Sequence, residues 1–344
     1  NKEFQRLTRM FAICKTEAKP GLEARDVDAP TMGAEDVRVK VSHAGVCGTD
    51  LHIYRWDHWA KNRVKPPLIL GHEFVGRVVE VGKNVSEVEK GQLVSAECHI
   101  VCGTCNLCTS GMAHLCEKTE IIGVDRRGAF CEEAVMPAAN IWPVSKGIAP
   151  QSAAIFDPLG NAMHTVKTFP VKDKHVLITG AGTIGLAAVA MAKYEGAKRI
   201  TVVEPSPEKQ ATAKELGADA VLQPGVEIEG PCPDVLLEMS GNEKAIAFGL
   251  RALAMGGQAA MLGLPSGPIS LDLSELVIFK GLTLHGVIGR RMFETWAQVD
   301  GFVKNNPHVP ERLISHIITA ENFQEAFEIL DAGKAIKTVL DFNN

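Results

Sequence analysis

Residues 175–185 read HVLITGAGTIG, and the architecture of the chain is read outward from them. An apolar strand, 175–180, runs straight into Gly180-Ala-Gly182-Thr-Ile-Gly185 and then into a segment with helical spacing at about 184–196. Each glycine has a physical task in that setting. Gly180 permits a tight turn, Gly182 lets the backbone approach a pyrophosphate, and Gly185 lets the helix pack on the strand. The helix N-terminus adds free N–H groups and the positive end of a dipole, both suited to phosphate. Glu204 ends the next strand-like run, RITVVE, nineteen residues past Gly185. A carboxylate there accepts hydrogen bonds from ribose hydroxyls and repels a 2′-phosphate, so the sequence favours NAD over NADP. The plain alternative for Glu204 is a solvated strand end. Lys209 is a weak aid to either cofactor.

Beyond this motif, strands and helices alternate: RITVVE, a helix near 208–216, AVL, DVLLEMS, a helix near 243–254, GQAAMLG and TLHGVIG. Six strands with intervening helices predict an α/β fold, a doubly wound parallel sheet. Ahead of it, 10–150 reads as many short strands broken by Gly and Pro, among them VRVKVSHAGV, FVGRVVEVG, LVSAE and CEEAVMP. β-Branched alternation with turn signals predicts a compact β domain. SAAIFDPLGNAMHTVKTF, 152–169, reads as one connecting helix. The tail from ISHIIT onward predicts a strand, a helix and a last strand, which finish either domain.

The 344 residues suit about two domains. Lys and Arg number 36 against 41 Asp and Glu, a net charge of −5 without a basic run, so nucleic acid is not an expected partner. Apolar runs such as IGLAAVAMA, 184–192, fall short of the ~20 residues a membrane-spanning helix needs, and no signal peptide is read. Nine cysteines, four of them in one short run, suit a reducing cytoplasm. Residues 1–9 are polar and precede Met10, and read as an extension.

That short run is CGTCNLCTSGMAHLC, with Cys102, Cys105, Cys108 and Cys116. Four thiolates on a tight loop predict a closed tetrahedral zinc site of the structural kind. A reactive-thiol or disulfide cluster is the bland reading, and an iron–sulfur cluster is the rival metal reading. A second set, Cys47, His72 and Glu73, offers S, N and O ligands from CGTDLH and GHE. Three protein ligands with an open fourth position are the catalytic type of zinc site. Alone, either segment reads equally well as structural. His43, His58, His99, His114, His175, His285, His308 and His316 carry no assignment.

CGTDLH, GHEFVGRVVEVG, the four-cysteine run and GAGTIG occur here in the order seen in zinc-dependent medium-chain alcohol dehydrogenases, and the chain resembles that family from about Met10 onward. The resemblance implies a GroES-like β-barrel catalytic domain, 10–157 with 306–344, and a Rossmann NAD-binding domain, 158–305. It also implies a homotetramer, a catalytic zinc on Cys47, His72 and Glu73, and a structural zinc on the four-cysteine loop. Thr49 and His52 match the family's proton relay, and Asp157 falls where an acidic residue acts on the zinc shell or relay. Ile184, Glu204, Lys209, Leu262, Gly263, Leu264, Val287 and Ile288 fall at NAD contacts. Within the family, HIYRWDHW (52–59), IFDPLGNAMH (155–164) and GRRMFETW (289–296) are similar to the branch that acts on L-threonine, giving 2-amino-3-oxobutanoate. Ile288, often aromatic in relatives, and Arg291, often acidic in that branch, depart from the pattern. A polyol or secondary-alcohol dehydrogenase, or a non-catalytic zinc and nucleotide-binding protein on the same scaffold, are the alternatives.

Overall fold

The computed structural model describes residues 9–343. They form two compact units. One runs to Asp157 and resumes at Val303; the other is Pro158–Phe302. The expected extension falls almost wholly on residues 1–8, outside the described residues, while Arg9 opens the first strand, Arg9–Lys15.

The first unit is built around strand Asp36–Val46. Val37, Val39 and Val41 alternate inward and are buried, the period-2 signature of a half-buried strand. This strand pairs antiparallel with Glu73–Val81, Glu133–Pro137 and the tail strand Lys337–Asp341. Ile314–Thr319 adds to the tail strand in parallel, and Leu93–Ala96 and Ile141–Pro143 extend the other edge, completing a seven-stranded mixed sheet. The C-terminal tail therefore finishes this unit. A smaller sheet places Arg9–Lys15 between Glu23–Asp28 and Leu68–Ile69. One core of Val37, Val39, Phe74, Phe130, Phe323 and Phe327 lies beneath both sheets.

The second unit is an all-parallel six-stranded sheet, ordered Ala220–Leu222, Arg199–Val203, His175–Thr179, Val235–Glu238, Gln258–Met261, Thr283–Gly286. In chain order this is 3-2-1-4-5-6, the doubly wound arrangement, with its switch point between the first and fourth strands. His175–Thr179 is buried throughout, because helices cover both faces of such a sheet.

One element differs from expectation. The single helix at 152–169 is two pieces, Pro150–Ala153 and Phe156–Lys167. Pro158 is the cause. It lacks the N–H that would reach residue 154, and its ring excludes that carbonyl, so the helix restarts with Pro158 in its first turn. Among the described residues no helix is long and apolar enough to cross a membrane.

Candidate active site and metal centres

Cys47, His72 and Glu73 come from two neighbouring segments. Gly45 and Glu73 are direct cross-strand partners, so the end of strand Asp36–Val46 delivers Cys47 beside the start of Glu73–Val81. Cys47 is the N-cap of helix Gly48–Arg55, where the helix dipole favours negative charge. Gly71 turns His72 inward. Its φ is +93°, and a Cβ there would lie 2.2 Å from the Phe130 ring. One ligand atom from each of Cys47, His72 and Glu73 lies within 4.8 Å of the others.

The surroundings explain why this set suits a cation. His72 and Glu73 are buried, and Glu73 Oε1 has no hydrogen-bond partner among the described residues. Burial works against charge on His72, yet Asp50, the Cys47 side chain and Asp157 outweigh it and hold its pKa up at about 10. Anions that hold a proton so firmly would hold a divalent cation in its place, and the S, N, O donor set with an unpartnered oxygen fits zinc. Two supporting residues carried no signal alone. Asp50, fully buried, lies 3.7 Å from His72 Nδ1 while its Oδ2 accepts the Cys47 N–H at 2.9 Å. Such a carboxylate behind a histidine fixes ring orientation in metal sites. Lys337, from the tail strand, lies 2.6 Å from Glu73 Oε2 and donates to the Val46 carbonyl at 2.9 Å. Burial opposes its charge, but Glu73 and Cys47 hold its pKa above the ordinary lysine range.

Thr49 and His52 lie on the helix that Cys47 caps, three residues apart and so on one face. Thr49 Oγ1 is 3.9 Å from Cys47 Sγ. His52 is exposed, and its Nδ1 lies 2.5 Å from Asp57 Oδ2. Asp57 is held in turn, since its Oδ1 accepts the Ala60 N–H at 3.0 Å and caps the next helix. Asp157 is buried and accepts the Cys98 S–H at 3.2 Å. It is not among the three groups that converge on the metal position, but its charge is felt by both His72 and Glu73. Glu97, Cys98 and His99 form a further cluster, with Glu97 Oε1 2.7 Å from His99 Nδ1.

The four-cysteine loop forms a second centre. Sulfur separations are 3.5 Å for Cys105–Cys108, 3.6 Å for Cys116–Cys102, 3.9 Å for Cys102–Cys108 and 4.0 Å for Cys105–Cys116. A tetrahedron with Zn–S arms of ~2.3 Å has edges of about 3.8 Å, so the four sulfurs already mark its corners. Gly103 and Gly111, at φ +70° and +79°, make the turns. Backbone N–H groups of Thr104 and Cys105 pull the Cys102 thiol down to about 6, towards the thiolate that metal binding needs.

In the second unit the glycine loop has the expected geometry. Gly180 has φ +87°, Gly182 has open space where a Cβ would be, and a Cβ on Gly185 would lie 2.0 Å from the Gly180 carbonyl oxygen. Gly182 caps helix Thr183–Tyr194, with Ile184 in its first turn. Glu204 follows strand Arg199–Val203 and turns back on the loop. It accepts Ala181 N–H at 2.7 Å and Ser206 N–H at 2.9 Å, so it is no loose strand end. Lys209 is half-buried in helix Pro207–Glu215. Leu262 and Gly263 follow strand Gln258–Met261, and Leu264 is exposed. Val287 is buried and Ile288 exposed just beyond the edge strand.

Residues 33–146 match the alcohol dehydrogenase GroES-like domain, and residues 183–305 match the zinc-binding dehydrogenase domain. The chain belongs to the zinc-binding alcohol dehydrogenase family, and it uses zinc and a nicotinamide dinucleotide. Among its relatives is the L-threonine 3-dehydrogenase of Pyrococcus abyssi, 44% identical over 341 residues that cover 96% of this chain and 98% of that protein. Similar solved structures include an alcohol dehydrogenase from Thermotoga maritima, at 26% identity and a TM-score of 0.89, covering 97% of this chain and 99% of that one. Another is an alcohol dehydrogenase from E. coli complexed with NADH, at 26% identity and a TM-score of 0.88, covering 97% and 100%. These likenesses agree with the expected GroES-like and Rossmann folds.

Proposed function

We propose that this chain oxidises the β-hydroxyl of L-threonine to 2-amino-3-oxobutanoate, with NAD as hydride acceptor. The observation that carries the substrate is the 44% identity to an L-threonine 3-dehydrogenase along 98% of its length. Zinc held by Cys47, His72 and Glu73 would supply the Lewis acidity that lowers the pKa of the alcohol. NAD on the glycine loop would supply the hydride acceptor.

The chain's own residues move the proton. Thr49 Oγ1 accepts it from the substrate hydroxyl while passing its own onward, and His52 delivers it to solvent. Asp57 determines which ring nitrogen does so: an Nδ1–H donated to the carboxylate leaves Nε2 as the acceptor. Asp157 keeps negative charge beside His72 and Glu73 and acts on the zinc shell without being a standing ligand. Glu204 selects NAD, since its carboxylate repels a 2′-phosphate and each oxygen keeps a lone pair for ribose. Ile184, Lys209, Leu262, Gly263, Leu264, Val287 and Ile288 complete the cofactor contacts.

A second zinc in each subunit sits on Cys102, Cys105, Cys108 and Cys116 and is structural, because four thiolates leave no open position. In this reading 10–157 with 306–344 is the catalytic domain and 158–305 the NAD domain. The enzyme works in the cytoplasm, a compartment consistent with nine cysteines that form no disulfide among the described residues. A homotetramer is supported by the edge strand Thr283–Gly286, all exposed, with Leu273, Ile278 and Phe279 also exposed. NADH formation measured by absorbance with L-threonine, sorbitol and 2,3-butanediol tests the reading. L-Threonine should give the highest kcat/KM. Faster turnover of a polyol or diol overturns the substrate, and no turnover of any alcohol overturns the activity.

A further inference from the structure

Glu238 ends strand Val235–Glu238 and is fully buried, a charged group inside a sheet of valine, leucine and isoleucine. Such burial is tolerated only with directed donors. Glu238 Oε1 accepts the Ser240 N–H at 2.9 Å and the Thr179 hydroxyl at 3.2 Å, and also the Ser240 hydroxyl. Both carboxylate oxygens lie 3.2 Å from Gly241 N. Its backbone carbonyl accepts the N–H groups of Leu262 and Gly263, each at 3.0 Å. One residue thus ties together the end of the first strand, the 240–242 turn and the 262–264 turn.

At Gly241 and Gly263 these turns leave no room for a side chain. A Cβ on Gly263 would lie 2.2 Å from Gly241 N and 2.5 Å from Glu238 Oε2, and one on Gly241 would lie 2.4 Å from the Leu264 carbonyl oxygen. A Cβ on Gly180 would lie 3.0 Å from Ser240 Cα. Ser240 Oγ passes the order on by accepting the Asn242 N–H at 3.1 Å, and Asn242 caps helix Glu243–Ala252. All three turns stand at the carboxyl ends of strands beside the switch point, where open α/β sheets bind their ligands.

We propose that Glu238 is a positioning residue for the nicotinamide dinucleotide. Its buried carboxylate sets the spacing of the 180–182, 240–242 and 262–264 turns, so that the glycine backbone meets the cofactor in a ready-made shape. It touches the turns rather than the dinucleotide. The proposal rests on the family's cofactor and not on the threonine reading, so it stands or falls on cofactor binding alone.

The test is NADH titration by fluorescence on the zinc-loaded protein, with thermal stability and the KM values for NAD and alcohol measured alongside. Glu238→Ala strands the Ser240, Gly241 and Thr179 donors, and should raise the Kd for NADH at least about tenfold. Glu238→Gln keeps the shape and one acceptor, and should raise it about threefold. The KM for NAD should rise in parallel while the KM for the alcohol stays within about twofold. A Glu238→Gln protein that binds NADH as the wild type does, with only its melting temperature lowered, overturns the proposal. That variant gives the answer even where Glu238→Ala fails to fold.

Discussion

At His52 a single hydrogen bond bears on the proposed proton relay. With Nδ1 facing Asp57, the proposed relay would use Nε2, whereas an unheld ring would divide between two tautomers. His52→Ala should keep its zinc and bind NADH, yet lose about 10²-fold in kcat near neutral pH. The deficit should narrow at high pH, where hydroxide takes the proton. A variant that loses metal, or whose remaining activity keeps the wild-type pH profile, would show that His52 only packs the zinc loop. The four loop cysteines were legible as a candidate metal site because four thiols fall within fifteen residues, whereas Cys47, His72 and Glu73, from two separate segments, were legible only together. Asp50, Lys337 and Glu238 were not. An acidic residue three places after Cys47 reads as a helix cap, and a lone lysine in AIKTVLDF reads as the solvent face of a strand. Only the pairing of that strand with Asp36–Val46 reveals that Lys337 faces Glu73.

The four-cysteine loop is an element with little apolar content of its own. Its longest helix is Asn106–Thr109, and none of those four residues is buried. Short helices are marginal without packing, so the proposed zinc would supply what a core would. Cys105→Ser should lower the melting temperature by at least about 5 °C, while the soluble fraction keeps the Cys47 metal. Metal analysis of the two centres checks this. Iron and sulfide in place of zinc, or unchanged stability, would refute it. Element types in the second unit were readable because glycines mark its turns and buried runs mark its central strands, while the edge strands Ala220–Leu222 and Thr283–Gly286 are not buried. The split of the 152–169 helix was missed because apolar spacing continues through Pro158 although its backbone bonding does not. Helix Glu294–Asn305 and the turn at Ser274–Ile278 also went unread, since neither is bracketed by a glycine motif.

For the whole molecule, the open edge at Thr283–Gly286 bears on assembly. Among the described residues this end strand pairs only with Gln258–Met261, and its open outer edge, flanked by Phe279 and Ile278, each 66% exposed, is a template for a second sheet unless it is covered. A two-fold axis there would pair the strand with its own copy. Replacing both residues by aspartate should convert the proposed tetramer into a smaller species by light scattering. A tetramer that survives puts the contacts elsewhere, and a wild-type monomer refutes the assembly. The tail has a consequence of another kind, one of timing. The four cysteines all precede the nucleotide unit, so that the proposed structural zinc could bind while synthesis continues. The pocket around Glu73 instead waits for Lys337 and the pairing of Thr338 with Val46, which come only after the whole nucleotide unit has been made. At roughly 5–20 residues per second, the 220 residues between Cys116 and Lys337 separate the two events by about 10–45 seconds. On the proposed two-zinc reading, one ion would thus be taken up while the chain is still growing and the other only once the tail strand has paired.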